Sequence, residues 1–160
     1  MAENTDQLTH LRPDGAAHMV DIAEKGVTKR RGVAVATLRT RPDVIRLISN
    51  GTLPKGEALG TARLAGIMAA KATSTLIPLC HPIAITSVDV TLTVGRDEVD
   101  IVASVTTLGR TGVEMEALTA ASVAGLTLYD MIKAVDRTAR ITDIAVIEKE
   151  GGRSGHWVSA

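Results

Sequence analysis

The sequence predicts an α+β fold of the ferredoxin-like kind, an antiparallel β-sheet with helices packed on one face. Three observations carry this. Val88, Val90, Leu92 and Val94 alternate with polar residues, and so do Val99, Ile101, Ala103 and Val105, which reads as a hairpin with one buried face and its turn at Gly95 to Glu98. A long, almost uncharged helical stretch follows, from Gly112 to about Val135. The order strand, two helices, hairpin, helix, strand then fills a chain of 160 residues, the length of one domain.

The remaining elements follow from local chemistry. Residues 1–17 are polar with a turn signal at Pro13-Asp14-Gly15 and read as a mobile N-terminal arm. Val33 and Val35 alternate with small residues toward Arg39, giving a first strand. Pro42 starts a helix with Val44, Leu47 and Ile48 on one face, and Asn50-Gly51 stops it. A second helix from about Gly56 to Thr73 is rich in alanine and glycine, which permits close backbone packing. Pro78 and Pro82 hold residues 77–82 extended, because a residue before proline avoids helical angles. Ile141, Ile144, Val146 and Ile147 mark a last strand. Residues 18–150 thus form a single domain, and 151–160, opening on Gly151-Gly152-Arg153-Ser154-Gly155, read as a flexible C-terminal tail.

Composition narrows the function. Eighteen basic residues balance eighteen acidic ones, so the basic excess usual in duplex nucleic-acid binding is absent and no nucleic-acid partner is expected. One cysteine, Cys80, allows no intrachain disulfide and no cysteine-rich metal site. The four histidines are scattered, without the spacing of a transition-metal site. No signal peptide or bilayer-length apolar run is visible, which reads as a cytoplasmic protein with no membrane partner. Tyr129 and Trp157 are the only aromatic residues besides histidine, so the core must be built from small aliphatic side chains, a situation that favours subunit association.

Candidate chemistry concentrates around the long helix. Thr111-Gly112-Val113-Glu114 fits a capping box, which gives Glu114 a structural duty to weigh against a functional one. Glu116 has no such duty; its carboxylate could accept two parallel N–H bonds of a guanine or pterin edge, or simply be solvated. Asp130 and Lys133 stand one turn apart, as either a surface ion pair or an acid/base pair. Glu116 and Asp130 are about 21 Å apart along a helix axis, too far for one small substrate within one subunit. If both serve one reaction, the site is shared between two chains, with the stripe Ala117, Ala120, Ala121, Ala124, Gly125 suited to the interface. The basic residues Lys25, Lys29, Arg30 and Arg31 read as a solvated or edge-strand charge run, or as anion ligands. A phosphate is expected near Lys55, Lys133 or the tail.

The segments His18-Met19-Val20-Asp21, Lys55-Gly56, Thr61 to Ile67, Ile77-Pro78-Leu79-Cys80-His81-Pro82, Thr111 to Thr119, Tyr129-Asp130-Met131-x-Lys133-Ala134-Val135 and Gly151-Gly152-x-Ser154-Gly155 occur in order and together resemble the MoaC family of cyclic pyranopterin monophosphate synthases. The resemblance implies a lyase of molybdenum-cofactor biosynthesis that rearranges 3′,8-cyclo-7,8-dihydro-GTP to cyclic pyranopterin monophosphate and releases pyrophosphate. It implies no redox cofactor, with Mg²⁺ at most accompanying the triphosphate. By position Asp130 would be the general acid/base, Lys133 its neighbour, and Lys55 a phosphate or proton-transfer group. Leu79, Cys80, His81, Glu114, Met115, Glu116 and Arg153 would contact substrate, Cys80 as wall and not nucleophile. It also implies a homo-oligomer, a hexamer built as a trimer of dimers. Competing readings are a ferredoxin-like module that binds a nucleotide or pterin without catalysis, and another phosphate-ester lyase or cyclase using the same carboxylate–lysine pair.

Overall fold

The computed structural model describes residues 11–159. Strands β1 (Thr28–Arg39), β2 (Ile85–Val94), β3 (Glu98–Gly109), β4 (Arg140–Glu150) and β5 (His156–Val158) form one sheet in the order β2-β3-β1-β4-β5, every neighbouring pair antiparallel. Helices α1 (Pro42–Ser49), α2 (Ala58–Lys71), α3 (Thr73–Leu76) and α4 (Glu114–Ile132) complete it. The first four strands with α2 and α4 make the ferredoxin-like arrangement expected from the alternation and element order.

Small residues set the spacing of the layers. On β1, Ala34, Ala36 and Leu38 lie opposite Ala103, Ile101 and Val99 of β3, all buried. Helix α4 covers them with Ala117, Ala120, Ala121, Ala124, Leu128 and Ile132, none of which is exposed. Helix α2 packs on α4 through Gly66, where a Cβ would stand 2.9 Å from the carbonyl oxygen of Ala120. Gly32 of β1 similarly sits under the start of α4, its missing Cβ 3.0 Å from the oxygen of Val113.

The basic run and the two ends of the chain take definite places here, and the alanine stripe takes a different one from that expected. Lys29, Arg30 and Arg31 lie in β1, which begins at Thr28 and is paired on both sides rather than at an edge, while Lys25 precedes it. The alanine stripe of α4, read as a subunit interface, is consumed inside the chain by α2 and the sheet. The segment read as a tail contains a turn and β5. Of the N-terminal arm, residues 1–10 lie outside the described residues, while Leu11 bridges Ala17 across the turn at Pro13-Asp14-Gly15.

Gly66→Ala is therefore expected to cost about 1–3 kcal/mol through overpacking. Gly26→Ala, where a Cβ meets nothing within 4 Å, should stay within about 0.5 kcal/mol. Urea denaturation of the two variants checks this.

Candidate active site

The two ends of α4 carry separate groups of polar side chains. At its C-terminal end, Asp130 lies between two ammonium groups: Lys55 Nζ is 2.6 Å from one carboxylate oxygen and Lys133 Nζ 2.7 Å from the other. Lys133 is placed by the helix itself, one turn after Asp130. Lys55 comes from a β-turn in which the Gly56 N–H donates to Leu53 O at 3.0 Å, with buried Leu53 as anchor and Pro54 at the second position. The surface-pair geometry of Asp130 and Lys133 is thus present, but a third group from 75 residues away joins it. Hydrogen bonds from Lys133 and then Lys55 hold the Asp130 carboxyl down at about 2, and Asp130 raises the Lys133 ammonium above its usual range. These side chains are about half exposed, at 40% for Lys55, 52% for Asp130 and 51% for Lys133.

Just beyond them Asp136 is buried and structural. Thr40 and Thr138 hydroxyls donate to its carboxylate at 2.7 Å each, and the Thr138 N–H at 2.9 Å. Burial would raise its pKa, yet these bonds outweigh burial and bring it to about 2.

At the N-terminal end of α4, a cavity of about 270 Å³ is walled by Leu79, Cys80 and His81 from the loop after α3, and by Glu114, Met115 and Glu116 from the helix. The loop is held by turns in which the Ile77 N–H donates to Thr73 O and the Cys80 N–H to Ile77 O. Glu116 is only 3% exposed. Burial pushes its carboxyl above the ordinary 4.5, partly offset by its own backbone N–H and reinforced by Glu114. Burial, then Glu116, pushes the thiol of cavity-lining Cys80 up as well.

A larger cavity of about 820 Å³ adjoins this one, sharing Lys25, Thr111, Gly112 and Glu114. Arg153, the tail residue singled out in the sequence, lines it. So do Lys25, Arg30, Arg31, Arg110 and Lys149, against the acidic Asp21, Glu24, Glu114 and Glu150. Arg31 is committed to Glu148 at 2.9 Å and to Ser104 at 3.1 Å, whereas Lys25, Arg110 and Arg153 have no ion-pair partner among the described residues. The basic run was the signal for Arg30 and Arg31. Lys149 was missed, since one lysine in a strand is unremarkable until folding places it 3.3 Å from Glu114.

The capping box does not form. Val113 is the N-cap residue, with no side-chain cap bond among the described residues, and Glu114 is the first helical residue. Its carboxylate lies over Gly112, in the space a Cβ would fill, and pairs with Lys149. Glu114 therefore belongs to the cavity wall. Helix α2 is capped by the Glu57 side chain, which accepts from the Gly60 N–H at 2.7 Å.

Fold and side chains define a class: a ferredoxin-like protein with two adjoining cavities, one half-apolar and one predominantly basic, and a lysine–aspartate–lysine cluster at the far end of the same helix. The MoaC family model matches residues 19–152, and the chain belongs to that family. It is 64% identical over 151 residues to cyclic pyranopterin monophosphate synthase 2 of Mycobacterium tuberculosis, covering 94% of this chain and 90% of that protein. It is 55% identical over 158 residues to synthase 3 of the same species, covering 98% and 89%. To the cyclic pyranopterin monophosphate synthase of Streptomyces coelicolor it is 54% identical over 152 residues, covering 95% and 89%.

The opposite environments of the two carboxyls give a titration test. By carboxyl-carbon NMR, Asp130 should stay ionised from neutral pH down to about 3 and titrate near 2, and Lys133→Ala should move its midpoint upward. Glu116 should titrate above 4.5. The signs for stability differ: the Asp130 contribution is present above the unfolded pKa and lost as pH falls through the folded value, whereas Glu116, which binds its proton more tightly when folded, disfavours folding as pH rises.

Proposed function

We propose that the chain is a cyclic pyranopterin monophosphate synthase, a lyase of molybdenum-cofactor biosynthesis that rearranges 3′,8-cyclo-7,8-dihydro-GTP and releases pyrophosphate. Beyond family membership, the observation that carries this reading is the Lys55–Asp130–Lys133 cluster, which holds a carboxylate between two ammonium donors. Opening and reclosing a purine-derived ring and closing a cyclic phosphate each require protons to move. Asp130 enters this chemistry ionised, since its carboxyl is held at about 2. It can accept a proton as a base, and it orients the two ammonium groups, which present N–H donors to a bound anion.

The other groups divide by charge. The half-apolar cavity with Leu79, Cys80, His81 and Met115 takes the base-derived end of the substrate, and the buried Glu116 carboxyl meets its N–H edge. The basic cavity with Arg30, Arg110 and Arg153 takes the triphosphate, where positive groups stabilise the departing pyrophosphate. Mg²⁺, where it takes part, would arrive with the triphosphate as part of the substrate.

One chain does not bring its own Asp130 to its own Glu116, because fourteen residues of helix separate them by about 21 Å. The site is accordingly composite, with the Asp130 cluster of one subunit facing the Glu116 cavity of another. Leu64 and Met68 on α2, with Leu126 on α4, leave apolar surface outside the core that association would bury. The family resemblance extends this to a hexamer, a trimer of dimers, working in the cytoplasm. Among the described residues no helix is long and apolar enough to cross a membrane.

The test is turnover of enzymatically prepared cyclo-dihydro-GTP, read as pyrophosphate together with the fluorescent oxidised pterin. Wild type should form both. Folded Asp130→Asn and Lys133→Ala should lose about 10²–10⁴-fold in kcat. A wild type that binds the compound and releases nothing would leave a ligand-binding module instead.

A further inference from the structure

The turn between β4 and β5 lies directly on Arg30. Gly151 and Gly152 both have left-handed backbones, with φ of 97° and 76°. A Cβ on Gly151 would overlap the Lys29 carbonyl and crowd the Arg30 Cα, and one on Gly152 would overlap the Arg30 guanidinium itself. On its other side the Arg30 Nε donates to the Gly109 carbonyl at 3.1 Å, at the end of β3. The guanidinium is thus held between the last residue of β3 and a bare stretch of backbone, at the wall of the basic cavity. Arginine recognises phosphate by a planar fork whose direction matters, so its orientation has chemical consequences.

We infer that Gly152 is a positioning residue for Arg30: the absence of a side chain there lets the β4–β5 turn seat the guanidinium facing the phosphates of the substrate. This rests on the reading of the basic cavity as the triphosphate subsite. The overlap at Gly152 is with the far end of a side chain, not with backbone, so a methyl group there displaces Arg30 and leaves the sheet in place. Gly155 supplies an internal control. It has a left-handed φ of 63°, and a Cβ there meets nothing within 4 Å. Alanine at either position therefore carries the same kind of backbone strain, and only at Gly152 does it reach Arg30.

The experiment compares Gly152→Ala, Gly155→Ala, Arg30→Ala and the Gly152→Ala/Arg30→Ala double variant, measuring kcat, KM for the cyclic nucleotide and competitive inhibition by inorganic tripolyphosphate. Gly152→Ala should weaken tripolyphosphate inhibition and raise KM by about tenfold, the effect of one charge-assisted contact misplaced, while Gly155→Ala stays within about twofold. On the Arg30→Ala background, Gly152→Ala should add no more than Gly155→Ala does on wild type. Equal losses in the two glycine variants, or an undiminished Gly152→Ala effect without Arg30, would overturn the inference. If Arg30→Ala leaves tripolyphosphate inhibition unchanged, the subsite reading itself fails and the inference with it. Should Gly152→Ala not fold, Gly152→Asn, which tolerates the left-handed region, carries the same comparison.

Discussion

The close seating of α4 is the constraint on which the rest of this molecule depends. A helix packed between a second helix and a sheet can be approached this closely only if its contact faces carry small side chains, as at Ala117, Ala120, Ala121 and Ala124. Gly66 completes the fit by letting α2 rest on the α4 backbone. That seating holds a helix of nineteen residues against the sheet. Its two ends then become fixed points, one at the turn bearing Lys55 and one at the loop bearing Cys80 and His81.

The two ends differ in dielectric as well as in place. Asp130 is half exposed and clamped by two cations, which keeps it charged, whereas Glu116 is buried and pushed toward its neutral form. Two carboxyls on one helix thus have opposite proton affinities, a division that suits one for electrostatic orientation and the other for contact with a polar heterocycle. The phosphate-bearing end of such a substrate requires a third environment, and the cationic cavity bounded by β1, the start of α4 and the β4–β5 turn provides it.

Much of this was legible before any coordinates. Alternation in Val88 to Val94 and Val99 to Val105 marks the hairpin because one face is buried and the other is not. Pro42 and Asn50-Gly51 bound α1 through backbone preferences that operate locally. The capping box at Thr111 does not form because the helix starts at Glu114 with Val113 as its N-cap, and Glu114 pairs instead with Lys149, far away in sequence. The alanine stripe was read correctly as a close-packing surface and assigned to the wrong partner, since composition cannot say whether the opposing backbone belongs to the same chain. Lys55 joining Asp130, and Arg30 lying under Gly152, are likewise long-range outcomes of topology. Sequence named candidate side chains, and folding decided which of them meet and added Lys149.

The claim most exposed to refutation is that one reaction centre takes the Asp130 cluster and the Glu116 cavity from different subunits. Asp130→Asn and Glu116→Gln chains, each purified and each inactive alone, can be dissociated, mixed in equal amounts and reassociated. A shared centre regains activity on mixing, roughly a quarter of wild type for randomly paired two-chain sites, because each mixed pair holds one centre with both groups intact. Mixtures as inactive as either variant alone, with exchange of subunits verified by mass spectrometry, would contradict the account and return both groups to a single chain.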